Sequence, residues 1–149
     1  SEEIILACDE DKIERIMLNL ISNAIKFSQL HTDIEIKIKR NVDLNRVYIS
    51  VKNYGSNIEF NDREKIFERF HRVDNSLNRK NEGCGIGLFL CRKFIEMHGG
   101  EIFLDNIDNG TQFSFYLPIN ITSEKIYNPL MQKDSLIEKC NIEFSDIYT

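Results

Sequence analysis

The sequence predicts an α+β two-layer sandwich, a mixed, mostly antiparallel sheet with about three helices on one face. Three observations lead there. Ile13, Ile16, Met17, Leu20, Ile21, Ala24 and Ile25 recur at the spacing of an amphipathic helix. Ile34, Ile36 and Ile38 alternate with Glu35, Lys37 and Lys39, and Val47, Ile49 and Val51 alternate with Tyr48, Ser50 and Lys52, as in two half-buried strands. Leu88, Cys91 and Ile95, flanked by Leu90, Phe94 and Met97, mark a second long helix. One sheet with helices on one face buries all these stripes. The dominance of antiparallel hairpins argues against a doubly wound parallel fold.

In order along the chain, Ile4–Leu6 reads as an edge strand. Asp9 or Asp11 is placed to cap the first helix, whose acidic first turn suits the helix dipole, and the helix should end near Ser28. The polar stretch Asn41–Arg46 joins the next two strands. A turn follows around Gly55, then a short helix over Asp62–Phe70. His71–Cys84 is polar and aperiodic, and a long loop in a compact domain is usually functional. Gly99 and Gly100 stop the second long helix. Strands over Glu101–Leu104 and Thr111–Leu117 flank a turn at Asp105–Gly110, and Pro118 ends the pattern. Residues 1–118 form one domain. Residues 119–149 are an extension of unassigned role, and its Ile126, Leu130, Leu136, Ile137 and Phe144 are too apolar for a solvated tail.

The chain has 149 residues and a net charge of −5, with 42% hydrophobic and 29% charged residues. No basic patch suits a broad nucleic-acid face, although one small phosphate ligand is compatible with this charge. No apolar run approaches the ~20 residues of a membrane span, and no secretory signal is visible. The chain opens on Ser1, as expected of a segment cut from something longer. Cys8, Cys84, Cys91 and Cys140 show no metal-ligand spacing, and reduced thiols are expected.

Asn19, Asn23 and Lys26 fall in one stripe of the first helix, beside its apolar face. Alone, they read equally well as solvent-facing residues of an Asn-rich protein. Gly83-Cys84-Gly85-Ile86-Gly87-Leu88 precedes the second long helix, where glycines and a helix N-terminus can receive an anion. Alone, this too is weak, because glycines also serve turns.

Together they are specific. Asn19 through Ser28 resembles the N box of sensor histidine kinases, Ile66-Phe67-Glu68-Arg69-Phe70-His71-Arg72 the F box, and Gly83 through Leu88 the G2 box. His98-Gly99-Gly100-Glu101-Ile102 is similar to the motif that follows, and Gly110-Thr111-Gln112-Phe113 through Pro118 to the closing strand. The resemblance covers residues 3–118 and implies a Bergerat-type ATP-binding fold, shared with gyrase-type ATPases and heat-shock chaperones.

The resemblance implies roles for these residues. Asn23 would give an oxygen to Mg²⁺, which prefers oxygen ligands and leans on phosphates. Asn19 would face the phosphates or a metal-bound water. Lys26 would neutralise phosphate charge, and Phe27 would pack near ribose and adenine. Arg72, and with it Arg69, would reach the γ-phosphate. Gly83, Gly85 and Gly87 would offer backbone donors, with Ile86 and Leu88 beside them. Gly55, Ile58, Phe67 and Thr111 would complete the nucleotide site. The stretch from Val73 to Glu82 would be the ATP lid.

Hydrolysing cousins carry Glu where this chain has Asn19, and an amide is no general base near neutral pH. The resemblance therefore implies phosphoryl transfer from Mg-ATP to a histidine on a separate dimerisation domain, then to the receiver domain of a response regulator. His31, His71 and His98 lack the acceptor context and read as structural. The implied domain is cytoplasmic, without direct membrane contact; many such kinases span a membrane elsewhere.

The G1 box departs from the pattern. Asn53-Tyr54-Gly55-Ser56-Asn57 stands where Asp-x-Gly-x-Gly is usual. The family's Asp accepts from the adenine amino group. Asn53 still accepts, without a charge to strengthen the bond, and should discriminate adenine from guanine less sharply. Asn57 replaces a glycine and tolerates left-handed backbone. Cys84 reads as a small residue in the loop. The alternatives are a nucleotide-binding or docking module with weak or lost kinase activity, and an anti-sigma-factor serine kinase, which the F box and the His-Gly-Gly motif disfavour.

Overall fold

The computed structural model describes residues 4, 6–70 and 86–119. Helix α1 spans Glu10–Phe27, as its periodicity requires. Asp9 is its N-cap and accepts the Lys12 N–H at 3.2 Å. Beyond its end, the Ser28 hydroxyl donates back to the Ala24 carbonyl at 2.7 Å. Strands β1 (Ile34–Asn41) and β2 (Arg46–Tyr54) form the first hairpin, and β3 (Glu101–Ile107) and β4 (Gly110–Pro118) the second. Helix α2 (Gly87–Met97) precedes β3. The strand order is β1-β2-β4-β3 and every pairing is antiparallel, so the described sheet is not mixed.

Both helices lie on one face. Ile16, Leu20 and Ala24 of α1 and Cys91 and Ile95 of α2 bury themselves on Val47, Ile49, Val51, Phe113, Phe115 and Leu117. Ile119 joins this core, and its N–H donates to the Asn45 carbonyl at 2.8 Å. His98 ties the helices together: the Asp9 N–H donates to its Nε2 at 3.0 Å, and its Nδ1 lies 2.6 Å from the Phe94 carbonyl. A ring bonded at both nitrogens is a structural histidine, as expected. His31 is exposed in a turn, and His71 lies outside the described residues.

Three expectations need correction. Ile4 and Leu6 pack partly buried against the core but lie in no strand. The helix expected over Asp62–Phe70 is two 3-10 turns, Phe60–Asp62 and Lys65–Phe67. Its inward residues, Ile66 and Phe67, are adjacent rather than one α-turn apart, and Phe70 has φ 65°. On β1, Ile36 is 46% and Ile38 63% exposed among the described residues, because α1 packs over β2 rather than β1.

The other face of the sheet is polar. Glu35 on β1 pairs with Lys37 at 2.9 Å and with Lys52 of β2 at 3.2 Å, and accepts from the Tyr54 hydroxyl at 3.1 Å. Hydrogen bonds from Lys37, Lys52 and Tyr54 hold the Glu35 carboxyl down from 4.5 to about 2. Folding thus favours the ionised form. The resulting stability is complete above the unfolded pKa and is lost as pH falls through the folded one. The stability difference between the native chain and Glu35→Gln should be full at neutral pH and should close between about 4.5 and about 2, as measured by denaturant titration.

Candidate functional site

The site is built where the C-terminal half of α1 meets the start of α2. Asn19 and Asn23 are one turn apart and half-buried, and the Asn23 Nδ2 donates to the Asn19 Oδ1 at 3.3 Å. The core residues of the same helix hold this stripe in place: Leu20 and Ala24 face the sheet, so the residues beside them line the helix flank. Asn19 rests directly on Gly87, where a Cβ would lie 2.1 Å from its Nδ2 and 2.8 Å from its Cγ. Gly87 is the first residue of α2, whose N-cap, Ile86, offers no side-chain hydrogen bond. Among the described residues no side chain caps this turn, so its N–H groups and the positive end of a helix dipole lie beside two amides, an arrangement that favours an anion. Lys26 is half-buried in the last turn of α1, and Phe27 beside it is 46% exposed.

A second part of the candidate site is built by the sheet. Asn53 on β2 points to the helix side and is 3% exposed, yet its Nδ2 has no hydrogen-bond partner among the described residues. Leaving such a donor unpaired costs about 1–3 kcal/mol, a cost that a ligand can remove. Thr111 stands opposite it in the β2–β4 register, with its hydroxyl donating to the Ser56 carbonyl at 3.3 Å. The turn after β2 is fastened on two sides. Ser28 bridges to Gly55, Gln29 N–H donates to Tyr54 O at 2.7 Å, and Gly55 N–H donates to Asn109 O at 3.0 Å. Neither Gly55 nor Asn57 has positive φ. Gly55 is needed instead for close approach, since its Cβ would lie 2.1 Å from the Phe27 carbonyl oxygen.

Ile58 is half-buried and accepts from the Arg63 Nε at 3.3 Å. With Asn57, Arg63, Leu104 and Thr111 it lines a shallow depression. Leu104 and Arg63 carried no sequence signal for this position beyond their alternation and charge. Leu88 packs against the core. Phe67 is 2% exposed, lies in the core and meets Phe113 edge-to-face at 6.0 Å. Arg69 is exposed and stacks over Phe70 at 4.9 Å. Arg72, Gly83, Cys84, Gly85 and the stretch from Val73 to Glu82 lie outside the described residues, as does the extension from residue 120 onward.

A sequence profile of the histidine kinase-, DNA gyrase B- and HSP90-like ATPases matches residues 8–121. The chain belongs to this ATPase family. Among its relatives, the sensor histidine kinase WalK of Bacillus subtilis is 39% identical over 117 residues, 78% of this chain and 19% of the relative. WalK of Staphylococcus haemolyticus is 35% identical over 125 residues, 83% and 21% of the respective chains. The chain thus spans about a fifth of the length of these relatives. Among solved structures, the catalytic domain of histidine kinase ThkA superimposes with TM-score 0.69 and 32% identity, covering 80% of this chain and 75% of that one. ThkA has also been solved with the response regulator protein TrrA, at 31% identity and TM-score 0.66, over 80% of this chain and 32% of that one. As an ATPase-family domain related to kinase catalytic domains, the chain has the α+β fold expected of it. No described helix is long and apolar enough to cross a membrane.

Proposed function

We propose that this chain is the part of a sensor histidine kinase that holds Mg-ATP and presents its γ-phosphoryl group to a histidine on a separate dimerisation domain. A response regulator receiver domain would then take the group. The observation that carries this reading is the seating of Asn19 on Gly87, with Asn23 bonded behind it.

The residues suit magnesium. The Asn23–Asn19 bond uses the Asn23 nitrogen, leaving its amide oxygen as a ligand for a hard cation. An ion with this one amide ligand would be held largely by phosphate and water. When bound, the ion would neutralise charge developing on the transferred group. Asn19 would orient the phosphate end without abstracting a proton, because an amide is not a base there. The first turn of α2 would donate backbone N–H groups, and Lys26 would add a positive charge.

Isothermal calorimetry with ATP and magnesium tests this reading. Binding heat is expected at micromolar to millimolar ATP, and no heat up to about 1 mM would favour a docking module instead. Lys26→Ala should weaken ATP by about tenfold to a hundredfold and adenosine hardly at all, since the proposed partner is phosphate. Equal losses for both would place Lys26 away from the phosphates.

A further inference from the structure

We infer that the base subsite accepts 6-oxopurine nucleoside triphosphates alongside ATP. The inference rests on the nucleotide reading above and deepens it.

Asn53 carries it. Its side chain is on the helix side of β2, 3% exposed, with a nitrogen donor that no described group accepts. Thr111 opposite does not take that donor: its hydroxyl is turned to Ser56 O. A buried donor with no internal partner selects a ligand that brings an acceptor. A carboxylate at this position would have acceptors only, whereas an amide has an acceptor and a donor on one planar group. Adenine presents an amino donor at C6 beside the N1 acceptor. A 6-oxopurine presents a carbonyl acceptor at C6 beside an N1–H donor. A half-turn of the Asn53 amide about its Cβ–Cγ bond exchanges the two patterns, so either base can be matched. Strong rejection of a ligand arises when it leaves a buried polar group unpaired. Here neither base does so.

The test titrates the full 149-residue chain and its Asn53→Asp variant with ATP and with inosine triphosphate, in magnesium, by calorimetry. Inosine triphosphate has the 6-oxo group and lacks the 2-amino group of guanine, so it isolates the contact at C6. The native chain should prefer ATP by less than about a hundredfold, and Asn53→Asp should widen that preference by at least about tenfold. A native preference above about a hundredfold, or an unchanged ratio in a variant that melts like the native chain, overturns the inference and leaves the ATP reading standing. If Asn53→Asp does not fold, the native ratio decides. Binding of neither nucleotide overturns the nucleotide reading and this inference with it.

Discussion

Asn23→Ala is expected to lower ATP affinity in magnesium by at least about a hundredfold while leaving the melting temperature within a few degrees of native. Losing even an outer partner of a metal site costs about 10–100-fold, and Asn23 is proposed as a direct oxygen ligand. The fold should survive because Asn23 is half-buried and its one described side-chain bond runs to Asn19 over 3.3 Å on the same helix. Alanine is also the best helix former, so α1 loses nothing in propensity. Titration with and without magnesium checks the assignment. Unchanged affinity in magnesium would remove Asn23 from the metal, and an equal loss under both conditions would make it a phosphate contact only.

Gly55→Ala should be among the most damaging single changes, costing about 1–3 kcal/mol or more and nucleotide binding with it. The added methyl would lie 2.1 Å from the Phe27 carbonyl oxygen and 3.3 Å from the Gln29 nitrogen. Both are backbone atoms at the end of α1, so no side-chain rotation relieves the clash. Relief requires the turn after β2 to move from the helix, which breaks the Ser28–Gly55 bridge. It also disturbs the Gly55–Asn109 and Gln29–Tyr54 hydrogen bonds. Asn53 and the stripe on α1 would then lose their relative placement. Thermal denaturation together with calorimetry checks this result. A variant that melts and binds like the native chain would show that the turn is compliant.

Periodicity made most of the fold legible. The 3.6-residue stripe of α1 and the strict alternation of β2 are both reproduced, because each element buries a single face. Periodicity failed where position in the sheet decides burial. Ile36 and Ile38 alternate as well as Val47 and Ile49 do, but they lie on an edge that no described helix covers. It failed again over Phe60–Phe67, where neighbouring apolar residues turn inward through tight turns. In the candidate site, the resemblance to the kinase boxes pointed to Asn19, Asn23 and Asn53, but two contacts depend on through-space distance alone. Nothing in the local sequence says that Gly87 must be bare because Asn19 presses on it. Nor does it say that Gly55 is a glycine for proximity rather than for left-handed backbone.

The open edge of β1 bears on colloidal behaviour. Among the described residues, Ile36 and Ile38 sit on a strand with one unpaired side, the usual template for strand-by-strand aggregation. Lys37, Lys39 and Arg40 alternate with them or follow them, and cations on an exposed edge repel a second identical strand. Exchanging Lys37 and Lys39 for threonine would leave the hairpin's β-propensity intact while removing this repulsion, so the variant should self-associate more readily than the native chain, as light scattering would read. In this strand the lysines would act as gatekeepers against self-association.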